Sequence, residues 1–176
     1  MESTYRIVVG VDGSDDSLRA LRWALGEARR RGGTVQAVTA YTWFGTEAAL
    51  LAGLGSEGER QRAEALLGAS VEEVVGEFPG MSVAAEVIEG EPGSKLTEVA
   101  RDADLLVVGS HGHGRLHHAV LGSVSEACIR LASCPVVVIP LPRPHPGHAT
   151  ELARADQPND ESGTTTTGQA DRRSTA

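Results

Sequence analysis

Lysine is almost absent: Lys95 is the only one in 176 residues, and the other basic side chains are all arginine. No G-x4-G-K-[ST] stretch occurs and Lys95 is not placed to supply one, so a P-loop NTPase is excluded. Aromatic residues make up 3% of the chain, which leaves a core of Val, Leu, Ile and Ala. Two cysteines, Cys128 and Cys134, are too few for a disulfide framework or a CxxC zinc site and read as reduced packing thiols. Positive charge is also short. The net charge of −8 repels a nucleic-acid backbone at long range, so nucleic acid is not an expected partner. No apolar run approaches the roughly 18 residues that span a bilayer, and the polar start carries no secretory apolar stretch. The expected location is cytoplasmic, with no membrane association.

What is present is 40% hydrophobic residues, enough for a single packed domain. Hydrophobic periodicity runs from about Tyr5 to Pro140. The remainder holds four prolines, a threonine run and almost nothing apolar, so it cannot offset its ordering entropy. Residues 1–140 are therefore expected to be the folded domain and 141–176 a disordered tail.

Within the domain, β and α signals alternate. Residues 6–11 (RIVVGV) are nearly all apolar, as in a strand buried on both faces. Gly13 turns the chain and Ser14 caps a helix that begins with Asp15 and Asp16 and ends at the Arg29, Arg30, Arg31, Gly32 stop. Leu18, Leu21, Leu25 and Ala28 would face the sheet. Further strands are expected at 34–40, 82–88, 105–108 and 136–139, with helices at about 59–78, 94–101 and 123–133. The second helix would present Ala63, Leu67, Val71, Val74 and Phe78 on one face. The alternation implies an α/β doubly wound, open parallel sheet with helices on both faces, whose ligand site lies at the carboxyl ends of the strands.

Two segments stand at such ends. One is Gly10, Val11, Asp12, Gly13, Ser14. The other begins Gly109, Ser110, His111, Gly112 and resumes nine residues later as Gly122, Ser123, Val124, Ser125. Glycines there let backbone N–H groups converge, and a helix start with Ser123 and Ser125 hydroxyls would point donors and a positive dipole end at an anion. This is a phosphate site without a lysine. Turn glycines followed by a serine N-cap account for the same residues.

The spacing G-x2-G-x9-G-[ST] after the fourth strand, the stretch LLVVGSHGHGRLHHAVLGSVSEACIRLASCPVVVIP and the opening RIVVGVDGS resemble the ATP-binding universal stress proteins. The resemblance covers about residues 5–140 and implies a five-stranded, Rossmann-like sheet of order 3-2-1-4-5. It implies that Gly109, Gly112, Gly122 and Ser123 hold the phosphates of ATP, with Val124 and Ser125 contacting ribose or phosphate. Gly10, Val11 and Asp12 would lie near the adenosine, Ala40 would face adenine, and Ser110 and His111 complete the phosphate loop. Asp12 could assist a nucleotide-bound Mg²⁺. A homodimer through the last strand (Val136, Val137, Val138, Ile139) is implied, as is a role as a nucleotide-dependent stress-response and signalling module.

Competing signals are weaker. Gly53, Gly55 and Gly58 spell G-x-G-x-x-G, but some dozen residues separate them from a strand, so an NAD-dependent oxidoreductase has little support. His111, His113, His117 and His118 lack HExxH or carboxylates at metal-binding spacing. The alternative function is a slow ATP hydrolase or phosphoryl-transfer enzyme, disfavoured because the motif places no lysine or general base.

Overall fold

The computed structural model describes residues 4–43, 45, 56–111 and 121–140. Five strands, β1 (Arg6–Gly10), β2 (Thr34–Tyr41), β3 (Val83–Glu89), β4 (Leu105–Gly109) and β5 (Val136–Ile139), form one sheet of order β3-β2-β1-β4-β5. Every neighbouring pair is parallel. The helices are α1 (Asp15–Arg31), α2 (Ser56–Val75), α3 (Pro92–Val99) and α4 (Ser123–Leu131), and a 3-10 turn, Ala100–Asp102, follows α3.

Strand alternation divides the core between two faces. Ile7, Val9, Leu105 and Val107 pack with Leu21 and Leu25 of α1 and Leu67 and Val74 of α2. Val8, Leu106 and Val108 point the other way, onto Leu96 of α3 and Cys128 of α4. Removing each such aliphatic side chain from water contributes about 1.5–3 kcal/mol, which holds helices on both faces of the sheet. The expected doubly wound fold is the observed one. Burial pushes the Cys128 thiol up to about 11, as fits a packing residue rather than a nucleophile.

Helix boundaries differ from expectation in α2 and α3, and α4 stops two residues early, at Leu131. α2 begins at Ser56 and stops at Val75, where Gly76 lowers helix propensity and Pro79 lies just beyond. Phe78 therefore lies past the helix, although it still packs against the core with Arg29 over its ring. α3 begins at Pro92 because Glu91 caps it, its carboxylate accepting from the Gly93 and Ser94 amides. The tail, residues 141–176, lies outside the described residues, as do Gly112, His113, His117, His118, Gly53 and Gly55. Gly58 falls in the first turn of α2.

Candidate functional site

β1 ends at Gly10, where a Cβ would stand 2.8 Å from Leu96 Cδ1; the absent side chain lets α3 close on the strand. The Val11 amide still donates to the Val38 carbonyl. The chain then turns at Gly13, whose φ of +80° favours glycine. Asp12 Oδ1 accepts from the Ser14 amide (3.0 Å) and hydroxyl (2.6 Å), and Ser14 caps α1.

β4 delivers the second wall. A Cβ on Gly109 would stand 2.9 Å from Asp16 Cβ, so this glycine admits the first turn of α1 against the strand end. Ser110 follows, buried, with its hydroxyl donating to Asp16 Oδ2 at 3.2 Å. The Ser110 carbonyl accepts from the Gly122 amide at 2.8 Å and from the Ser125 hydroxyl at 3.2 Å. One buried peptide thus joins the end of β4 to the start of α4.

Three described helices have a described N-cap, and they divide sharply. Ser14 and Glu91 cap α1 and α3 with side-chain oxygens, whereas the N-cap of α4 is Gly122, which has none. The Ser123, Val124 and Ser125 amides therefore open α4 without a side-chain acceptor from the cap residue, at the positive end of the helix dipole. The serine N-cap explanation of this motif is corrected here: Ser123 is the first helical residue, not the cap.

These walls enclose a cleft of about 510 Å³ at the carboxyl ends of the strands. Gly10 lines it at the end of β1 with Val11 and Asp12 just beyond, Ala40 from β2, Gly109 at the end of β4 with His111 just beyond, and Gly122, Ser123, Val124 and Ser125 at the start of α4. Ser110 does not line it, because its hydroxyl is drawn inward to Asp16. Two further corrections follow from the hydrogen bonds. The Gly122 N–H is spent on Ser110, and the Ser125 hydroxyl turns to the Gly122 and Ser110 carbonyls instead of the cleft. Gly122 has φ −66° and ψ 156°, so it needs no left-handed backbone.

Sequence reasoning missed Ser17, Val38, Pro92, Leu96, Val108 and Leu121, which also line the cleft. Val38 was recoverable, since it sits two residues before Ala40 on the same strand face. Pro92 and Leu96 arrive on α3, which carries no glycine motif. Asp12 is the one carboxylate in the described lining, and Lys95 pairs with Glu98 outside it. Among the described residues no group of three or more His, Cys, Asp or Glu could hold a metal, and no helix is long and apolar enough to cross a membrane.

The universal stress protein family model matches residues 4–140. The chain belongs to the universal stress protein family. A universal stress protein of Mycobacterium tuberculosis is 37% identical over 132 residues, covering 75% of this chain and 44% of that protein. The chain thus spans less than half the length of that relative. A universal stress protein from Archaeoglobus fulgidus, solved in complex with dAMP, is 27% identical with a TM-score of 0.58, over 79% of this chain and 99% of that one. A universal stress protein solved in complex with cAMP is 27% identical with a TM-score of 0.57, over 77% of this chain and 96% of that one. The five-stranded sheet of this universal stress protein matches the fold of these two solved neighbours, both of which hold nucleotides.

Proposed function

We propose that the chain binds ATP in the cleft and acts as a nucleotide-dependent stress-response and signalling module. The observation that carries this reading is the glycine N-cap of α4. A helix whose first amides open into a cleft, with no side chain of its own to satisfy them, suits a phosphate. Ser123 and Val124 would supply amides, and the Ser123 hydroxyl a further donor. The apolar stretch formed by Val38, Leu96 and Val108 suits a purine, with the Ala40 backbone at its edge. Asp12 would assist a nucleotide-bound Mg²⁺. The adenine nucleotides in the two related structures agree with this choice of base.

Mass spectrometry of nucleotide released from freshly purified protein, followed by calorimetric titration, tests the proposal. ATP should be recovered and should bind at one site per chain. Recovery of no nucleotide, together with no heat on titration, refutes it. Phosphate release under single-turnover conditions separates a nucleotide holder from a slow hydrolase.

A further inference from the structure

β2 outlasts β1. Their register pairs Gly10 with Val38, and β2 runs on through Thr39, Ala40 and Tyr41. Along a strand the backbone groups of successive residues point to opposite neighbours. The Thr34 amide donates to the Tyr5 carbonyl at 2.8 Å, and the Val38 carbonyl accepts the Val11 amide at 2.9 Å, so the even-numbered residues of β2 face β1. The Tyr41 carbonyl accepts the Gly90 amide at 2.8 Å, so the odd-numbered ones face β3. Ala40 therefore aims its N–H and C=O past the end of β1, and it lines the cleft.

In a parallel ladder, a residue whose amide donates to one carbonyl of the neighbouring strand accepts from the amide two positions further along it. The Val11 amide goes to Val38, so the regular partner of the Val11 carbonyl is the Ala40 amide. That bond is not made. The Val11 carbonyl instead accepts the Thr39 hydroxyl at 2.8 Å, and Thr39 is buried, 7% exposed. A side-chain donor thus closes the ladder one step early. Among the described residues it leaves the Ala40 amide without a partner on the β1 side.

We propose that Thr39 is a positioning residue for the base of the bound nucleotide. By holding the Val11 carbonyl, its hydroxyl keeps the Ala40 N–H available, beside the Ala40 C=O, for a ligand edge that carries an acceptor next to a donor. Adenine has such an edge, its exocyclic amine beside a ring nitrogen. The inference rests on the adenine-nucleotide reading above. Thr39→Val keeps the side-chain shape and removes the donor. A buried carbonyl left unpaired is costly, so the Val11 carbonyl would then take the Ala40 amide and withdraw it from the cleft.

Amide hydrogen exchange and calorimetric titration of the full chain test this. In the ligand-free wild type the Ala40 amide should exchange about tenfold faster than that of Val38, which lies inside the ladder. In Thr39→Val the Ala40 amide should slow by about tenfold, whereas general loosening of the domain would speed it. ATP should bind Thr39→Val about fivefold more weakly, and Thr39→Ser as tightly as the wild type. No slowing of the Ala40 amide or wild-type ATP affinity in Thr39→Val, or lost affinity in Thr39→Ser, overturns the inference and leaves nucleotide binding intact. Failure of ATP to bind the wild type removes the nucleotide reading and this one together. The wild-type comparison needs no variant to fold: an Ala40 amide as protected as that of Val38 overturns the proposal.

Discussion

The Gly122 amide donates to the Ser110 carbonyl at 2.8 Å, and this bond sets the height at which α4 opens over the end of β4. A Cβ on Gly122 would stand 3.3 Å from that carbonyl oxygen and 3.4 Å from His111 Cα. Gly122→Val should therefore push α4 away from the β4 end and lower ATP affinity more than tenfold. The backbone angles suit any residue, so its melting temperature should fall only a few degrees. Gly58→Ala is the control. Its Cβ would meet nothing within 4 Å, and helix propensity predicts a gain of up to about 1 kcal/mol with unchanged affinity. Titration and melting of each variant check the pair; wild-type affinity in Gly122→Val removes the phosphate assignment.

Gly109 should behave differently from Gly122, although both belong to the same motif. Its Cβ would come within 2.9 Å of Asp16 Cβ and 3.0 Å of the Asp16 carbonyl carbon, in the packed seam between β4 and α1. Gly109→Ala should cost about 1–3 kcal/mol of stability by overpacking. Urea unfolding is the measurement, and a loss below about 0.5 kcal/mol contradicts the seam.

The Glu91 cap makes stability depend on acid. Hydrogen bonds from Ser94 and Gly93 hold its carboxyl below the ordinary value of 4.5. A group depressed in the folded state stabilises fully above its unfolded pKa, and that contribution fades as pH falls through the lower folded value. Melting temperature should therefore decline in the acid range below about pH 4.5 more steeply in the wild type than in Glu91→Gln. Parallel curves for the two proteins would discount the cap.

β5 lies at an edge of the sheet and is entirely apolar, Val136–Ile139. Such an edge is prone to association unless it is paired or covered, and Pro135 and Pro140 limit its extension. We expect a homodimer built partly on this strand. Sedimentation should give twice the chain mass at micromolar concentration, and a monomer there would exclude it.

Deleting everything after Arg143 should leave melting temperature and ATP affinity unchanged. The removed sequence has no aromatic residue and almost no apolar one to pack. A drop in either quantity would show that the tail docks on the domain.

Much of this was legible because local and tertiary signals agree. β1 and β4 are apolar on both faces, so RIVVG and LLVVG read as interior strands without help from neighbours. α1 carries a cap, a dipole-matched first turn and a glycine stop, and each lies where expected. The site was less legible at its hydroxyls. Ser110 beside a glycine looks like a phosphate ligand, but its direction depends on Asp16, which lies 94 positions away. Asp15 and Asp16 look equivalent in a first turn, yet only Asp16 is buried. The α3 cap was missed because Glu is a less favoured N-cap than Ser or Asp, although Pro92 marked the first helical position.

The Ser110 amide donates to the Ile139 carbonyl at 2.9 Å, so the peptide that joins β4 to α4 is held from behind by β5. During synthesis β5 leaves the ribosome after every other strand. A nascent chain that has exposed both glycine segments but not yet Ile139 lacks that backing, and its cleft is unfinished. If the cleft holds a nucleotide as proposed, capture would wait until the domain is essentially whole, and a bound nucleotide would mark completed folding.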